Sequence, residues 1–347
     1  MKKAVVLGHF AFGMNKSNGQ TVKTQNIANE LKRHIGEENV GLEDTVGGLR
    51  FLLKLPFVLF KLLWNYSNII ILPAYKGVLT IVPALTFLNI FFHRRIHYVV
   101  IGGWLPNYMK KHPLLRFSCK HIYMIYVETL YMKTALNAMG FQNVKVMPNF
   151  KQIDILREDE LTTAIPTTLK VCTFSRVMKE KGIEDAVKAV VECNKRLGEK
   201  KYVLDIYGMI EAGQEQWFKD LMQCQQPEEI SYKGVANPSE SSTILKAYFA
   251  MLFPTLFPTE GFPGTVIDAF SAGLPTIASD CTSIKELLIE GETGFIFPMH
   301  SVPALTDILF RIANHPETTI SMRKKCLQAA SRYKPENVIP LLTSELD

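Results

Sequence analysis

The feature that most constrains this chain is an alternation of short, β-branched apolar runs with helical stretches, which proceeds, breaks and starts again. A parallel sheet covered by helices requires that rhythm, because every strand must be followed by a crossover that returns the chain to the same edge. In the first half, strands are expected at residues 3–7, 40–43, 68–72, 97–101, 121–127 and 144–147, with a helix over residues 21–34. Residues 150–167 (FKQIDILREDELTTAIPT) interrupt with charges, threonines and a proline, which places the joint between two domains there. The pattern resumes through TLKVCTFSR, KYVLDIYGM, EISYKGV, AMLFPT, PTIAS and GFIFP, with helices over residues 182–197, through Trp217, and over residues 242–248, 264–272 and 285–289. The fold class is therefore α/β, with two Rossmann-like domains at residues 1–160 and 168–330. Their parallel sheets are expected to face each other across a cleft lined by the loops that follow each strand. Residues 331–347 read as a helical end, broken at Pro335, that returns to the first domain.

With 347 residues the chain is long enough for two cores, and 47% hydrophobic against 21% charged residues excludes a disordered class. The six cysteines are scattered with no C-x-x-C pair, which excludes the usual zinc ribbons and argues against a disulfide framework. A reducing cytosol is the expected compartment. Charge is divided unevenly. Residues 1–150 carry 18 Lys and Arg against 6 Asp and Glu, whereas the rest carry 21 against 27. A basic half rich in Leu, Phe and Trp points to an anionic partner, nucleic acid or membrane leaflet, and charge alone does not choose between them.

The opening MKKAVVLGHFAFGM imitates a secretory signal but has no A-x-A-like cleavage site and runs into a polar loop, so it reads as a buried first strand. Residues 51–64 and 77–92 are apolar, yet each is shorter than the roughly 20 residues of a spanning helix and contains a proline. Both read as buried helices of an α/β domain. For the first a second reading stands beside this one: Lys54 and Lys61 interrupt a segment that also carries Trp64, as in a helix lying in the lipid interface. With Arg50, Arg94, Arg95, Lys110, Lys111, Arg116 and Lys120 nearby in sequence, the basic domain is expected to make peripheral contact with anionic lipid. Nucleic acid is disfavoured, because the aromatics lie in apolar runs and are not interleaved with Lys and Arg.

The densest chemical signal is FPTLFPTEGFPGTVIDAFSAGLPTIASD, residues 253–280. Glu260 stands in a loop, and Gly261, Phe262, Pro263, Gly264 and Thr265 lead into a helix whose N-terminus offers free N–H groups to an anion. Asp268 lies about one turn further, and Gly273 closes the helix. This segment resembles the donor-binding signature of family 4 retaining glycosyltransferases with the GT-B fold, E-x7-E in an EGFP loop and helix. Here the second acid is Asp268, one methylene shorter than the family's Glu. The resemblance implies that Glu260 engages the donor sugar and Asp268 the nucleotide ribose. Phe174, Ser175 and Arg176 followed by Glu180, Lys181 and Gly182 are similar to the family's G-R…E-K-G segment, which implies that Arg176 and Lys181 grip the donor diphosphate. The physics agrees, since fixed cations lower the barrier when negative charge grows on a leaving phosphate.

Smaller echoes complete the resemblance. Asn18, Gly19 and Gln20 occupy the place of the family's acceptor-side loop, without its Gly-Gly pair. Met147, Pro148 and Asn149 resemble the segment that closes the first domain. Gly208, Gly234 and Val235 fall at strand ends where the family binds the base, and GGWLP at residues 102–106 resembles bacterial enzymes that build capsule or other surface polysaccharides. Many family members place a His after a first-domain strand, but here HYVVI runs into Gly102, Gly103 and Trp104. The family's retention is explained by front-face attack, in which the leaving phosphate takes the acceptor proton, so the missing His is tolerable. His9, His93 and His97 read as core or surface residues.

No D-x-D motif, G-x-G-x-x-G after the first strand or Walker A motif occurs, which disfavours a metal-dependent GT-A-type transferase, a dehydrogenase and a P-loop enzyme. The expected protein is a cytoplasmic, metal-independent retaining glycosyltransferase without cofactor. It uses a nucleotide-diphosphate sugar as co-substrate and a lipid-linked saccharide or oligosaccharide as acceptor, at the inner face of a membrane. Two readings remain beside it: a nucleotide-sugar epimerase or hydrolase on the same scaffold, and a non-catalytic nucleotide-sugar-binding subunit that anchors a partner.

Overall fold

The computed structural model describes residues 2–12, 19–225 and 228–346. The chain divides into two compact units, Met1–Asn149 with Pro335–Asp347, and Phe150–Lys334. In the first, β1 (Lys2–Gly8), β2 (Val40–Asp44), β3 (Tyr66–Leu72), β4 (Arg95–Val99), β5 (Met124–Val127) and β6 (Val144–Val146) form one parallel sheet in the order β2-β1-β3-β4-β5-β6. The crossovers are α1 (Gly19–Ile35), α2 (Leu49–Asn65), α3 (Val78–Asn89), α4 (Leu105–Lys111), α5 (Pro113–Cys119) and α6 (Leu130–Ala138). The last five residues of both β1 and β3 are buried without alternation, as central strands under two helical layers must be.

The second unit repeats the plan. Its strands β7 (Leu169–Phe174), β8 (Tyr202–Tyr207), β9 (Ile230–Gly234), β10 (Ala250–Phe253), β11 (Thr276–Ser279) and β12 (Gly294–Phe297) are all parallel, in the order β12-β11-β10-β7-β8-β9. Helices α7 (Ile183–Leu197), α8 (Glu215–Gln223), α9 (Ser241–Leu245), α10 (Gly264–Ser271), α11 (Ile284–Leu287), α12 (Val302–Asn314) and α13 (Glu317–Ser331) cover it. Each sheet has a switch point where successive strands depart in opposite directions, β1/β3 in the first and β7/β10 in the second. In such sheets ligands bind beyond the carboxyl ends at that point.

The division falls at Asn149, before the charged segment that suggests a joint at residues 150–167. The physical reason is that this segment is laid along the second unit. Ile153, Ile155 and Leu156 pack on the core beside α10, and the Leu156 N–H donates to the Ser271 carbonyl at 2.9 Å. At the other end, α14 (Pro335–Val338) and α15 (Pro340–Thr343) belong to the first unit. There the Asn68 amide donates to the Leu346 carbonyl at 3.0 Å and the Tyr123 hydroxyl to Glu345 Oε2 at 2.9 Å. Helix α12, capped by Ser301 Oγ on the Ala304 N–H, is absent from the sequence-based expectation. Among the described residues no helix is long and apolar enough to cross a membrane.

Candidate active site

The loops after β7 and β10 meet at the switch point of the second sheet. Gly182 follows the turn over residues 179–181 with φ 67°, and a Cβ there would stand 1.9 Å from the Pro254 carbonyl oxygen, so only glycine lets the two loops touch. The Leu256 N–H donates to the Glu180 carbonyl at 2.8 Å and holds them together. This close approach brings Lys181 Nζ within 2.7 Å of Glu260 Oε2, with both side chains largely but not wholly buried. Thr255 Oγ1 donates to the same oxygen at 2.9 Å. The ammonium also stands about equally far from the Phe253 and Phe257 rings, at 5.4 and 5.3 Å.

Arg176 is not joined to this pair. Its Nη1 donates to Glu211 Oε2 at 2.7 Å and its side chain is about half exposed. Asp268, by contrast, is almost wholly buried inside α10. Lys151 Nζ meets its two carboxylate oxygens at 2.6 and 2.5 Å, and Ser241 Oγ approaches at 3.4 Å. Burial raises the Asp268 carboxyl above its ordinary range, and the Lys151 ammonium beside it pulls it back down. Lys151 is absent from the sequence-based set. The only signal is its place directly after Met147, Pro148, Asn149 and Phe150, and nothing local says that it reaches Asp268.

Residues 262–265, which follow Glu260 and Gly261, have structural roles here. The Phe262 ring is buried against Tyr333, with centroids 5.0 Å apart. Pro263 is the N-cap position of α10 and Gly264 its first residue. Thr265 donates its hydroxyl to the Phe174 carbonyl, tying the first turn of α10 to the end of β7. Gly261 lies in the loop between Glu260 and this turn.

At the ends of β8 and β9, Gly208 has φ 137°, and a Cβ there would come within 1.8 Å of the Ser175 carbonyl oxygen. The Tyr232 hydroxyl donates to the Gly208 carbonyl at 2.8 Å. A small hollow of about 120 Å³ opens beside them, lined by Phe174, Ser175, Tyr207, Gly208, Val235 and Ala236. Gly234 closes β9, and Val235 is well exposed.

In the first unit, Asn18 lies outside the described residues, and Gly19 and Gln20 open α1. The Gln20 side chain donates to the Leu72 carbonyl at 2.9 Å, bridging α1 to the end of β3. At the same edge Lys23 Nζ stands 2.5 Å from Glu128 Oε1, and Glu128 Oε2 accepts the Gly102 N–H at 3.0 Å. The sequence-based set omits this buried carboxylate, which lies next to the place where the family's His is missing. His97 is buried, its ring nitrogens 3.0 Å from Asn68 Oδ1 and 3.3 Å from the Tyr126 hydroxyl. Among the described residues no group of three or more His, Cys, Asp or Glu side chains is arranged to hold a metal ion.

Comparison with known proteins gives this geometry a family. A segment of the chain is 37% identical over 131 residues to the GtfA subunit of a UDP-N-acetylglucosamine–peptide N-acetylglucosaminyltransferase from Streptococcus pneumoniae, covering 37% of this chain and 24% of that protein. Another is 31% identical over 106 residues to a GDP-mannose:cellobiosyl-diphosphopolyprenol alpha-mannosyltransferase from Komagataeibacter xylinus, covering 30% and 27%. The matched segments thus span about a quarter of those relatives. The Anabaena protein HepE, solved in complex with UDP, superposes with a TM-score of 0.79 at 15% identity over 100% of this chain and 99% of its own. Both share the architecture of two Rossmann-like units. The family profile described as glycosyl transferases group 1 matches residues 158–332, just over half of the chain and nearly all of its second unit, and the protein belongs to that family.

Proposed function

We propose that the protein is a retaining, metal-independent glycosyltransferase that takes its sugar from a nucleoside-diphosphate sugar held by the second unit. The observation that carries this reading is the Lys181–Glu260 pair at the β7/β10 switch point, beside the start of α10. An ammonium has three donors, and Lys181 spends one on Glu260. The others serve the phosphate oxygens, whose charge grows as the bond from sugar to phosphate breaks. Arg176 adds a second cation from the end of β7, in the role that a metal plays in other transferases. Because Glu260 Oε2 takes both Lys181 and Thr255, its other oxygen is left to a hydroxyl of the donor sugar.

The N–H groups from Gly264 onward favour the anionic diphosphate. The hollow at Gly208 and Val235 suits the base. A ribose hydroxyl reaching Asp268 shares its carboxylate with Lys151, which steadies the shorter acid. Support for a nucleotide sugar comes from HepE, solved with UDP, and support for a lipid-linked saccharide acceptor from the Komagataeibacter relative, whose name specifies a diphosphopolyprenol. The basic first unit makes peripheral contact with the inner face of a membrane, where such an acceptor is presented, in the synthesis of a surface polysaccharide.

The test is a panel of UDP- and GDP-sugars against the wild type and Lys181→Ala. A donor that binds only the folded protein raises its Tm. The wild type is expected to respond to one sugar and the variant to lose the response. If no nucleotide sugar shifts Tm, or the variant responds as the wild type does, the assignment fails.

A further inference from the structure

Between Asp44 and Glu128 the chain runs for 83 residues without an acidic side chain, while carrying ten Lys and Arg. The run includes α2, α3 and α5, which expose large apolar side chains beside their lysines and arginines. On α2, Leu53, Phe57, Phe60 and Trp64 recur at intervals of four, three and four residues and are all more than half exposed, while Leu55, Leu59 and Leu62 fill the core behind them. Phe92 continues the stripe, its ring edge-on to Phe60 at 5.4 Å and to Trp64 at 6.4 Å.

Between α3 and α5 lies a cavity of about 650 Å³. Phe87, Ile90, Leu114 and Phe117 line it and remain 61–65% exposed, and His93 and His121 complete its wall. A hollow of this size lies in the range of ligand pockets, and an apolar face of this extent marks an interaction site.

Two properties define what fits it. The interior is apolar, while Arg94, Arg116 and Lys120 neighbour its lining residues in sequence with no carboxylate in the same run; Arg94 Nε and Arg116 Nη2 each donate to a neutral backbone carbonyl, of Leu63 and Met139, at 2.9 Å, which leaves their charge in place. An aliphatic chain bearing an anionic head satisfies both. The position decides which such chain. Helices of a parallel sheet run against its strands, so the C-terminal ends of α3 and α5 lie towards the amino ends of β4 and β5, away from the edge where Gly102 and Glu128 stand. A lipid bound there is an anchor and not the acceptor.

We propose that the cavity between α3 and α5 takes one acyl chain of an anionic glycerophospholipid, its phosphate held by the surrounding cations. This rests on the reading of the first unit as membrane-facing and adds to it a discrete, saturable site.

The probe is dioctanoyl phosphatidylglycerol, kept below its micelle concentration and titrated calorimetrically into the full chain. Glycerophosphoglycerol serves as the chainless control. One equivalent is expected to bind, with no response to the control, and Ile90→Gln with Leu114→Gln is expected to weaken binding by about tenfold or more at unchanged Tm. Both positions are exposed, so the fold tolerates the change. Phe57→Gln, outside the cavity, is expected to weaken sedimentation with vesicles of phosphatidylcholine and phosphatidylglycerol while leaving the short-chain titration unaltered.

Equal binding by wild type and double variant overturns the proposal, as does a control that binds as well as the lipid. A dimer in ultracentrifugation that the double variant dissolves assigns the face to a second copy and also overturns it. If vesicles sediment the protein but the short-chain lipid does not saturate, the cavity inference falls and the membrane reading stands. If vesicles fail to sediment the protein at low salt, the membrane reading falls and the anchor falls with it.

Discussion

Lys181 and Glu260 in the second unit retain 12% and 15% exposure, whereas Lys23 and Glu128 in the first retain 3% each. Both pairs stand at the carboxyl edge of a six-stranded parallel sheet, and both join a lysine, Lys181 after β7 and Lys23 in α1, to a carboxylate beyond another strand. The partly open pair can trade a hydrogen bond with an incoming ligand. The sealed pair cannot do so without leaving a charge stranded, and one of its oxygens already fixes the Gly102 N–H. The same chemical motif therefore remains open to a ligand in one unit and is committed to loop placement in the other, and the difference is water access.

That contrast is most directly broken at Glu128. Replacing it with Ala strands the Lys23 ammonium, and a loss of about 3–5 kcal/mol is expected in urea unfolding. Unchanged stability together with lost transfer would move the chemistry into the first unit. The complementary change is Glu260→Gln, which keeps size and removes charge. Transfer is expected to fall about 10²–10³-fold while the fold persists, and near-normal turnover would defeat the site assignment.

Acid separates the units by sign. His97 in the first unit has its pKa lowered from 6.5 to about 4, chiefly by burial, with Glu345 opposing and Arg95 and Lys145 assisting the shift. Between those values the folded protein binds fewer protons than the unfolded one. Its contribution, on the order of 3 kcal/mol, is present above pH 6.5 and lost as the pH falls towards 4. Burial raises the Asp268 pKa in the second unit, so its contribution to stability is lost as the pH rises through its folded value, and acid does not remove it. Unfolding followed across a pH series should show the first unit failing first, and His97→Gln should flatten the profile. The smallest effect is expected from Arg176→Ala, about a tenfold loss of transfer with stability within about 0.5 kcal/mol, because the side chain is half exposed. A loss as deep as that of Glu260→Gln would place Arg176 at the reacting bond.

How much of the fold is legible in the sequence follows from the range of the interactions. The IIIL of β3 and the helix opened by Gly264 are written in adjacent residues, and periodicity finds them. Helix α2 presented a genuine ambiguity. Its apolar residues go all the way round, so the pattern cannot say that Leu55, Leu59 and Leu62 face the core while Phe57 and Trp64 face outward. Charge in residues 150–167 suggests a linker, yet three apolar side chains, Ile153, Ile155 and Leu156, are enough to lay the segment along the core beside α10. The motif names Glu260, Lys181, Phe262 and Thr265 alike, and only the fold shows that the first two pair with each other while the Phe262 ring packs on Tyr333 and the Thr265 hydroxyl is spent on β7.

The sequence alone determined the two rounds of strand and helix, the glycines that permit close loops, and the charged residues that those loops carry, since all of these are local. Tertiary structure decided the partners. Lys151 reaches Asp268 across 117 residues and Lys23 reaches Glu128 across 105. Such pairs are set by strand order and by which crossover lies over which edge, and by how much water the assembled edge then admits. No periodicity along the chain encodes that placement, because it arises only when distant loops are stacked at the same end of a sheet.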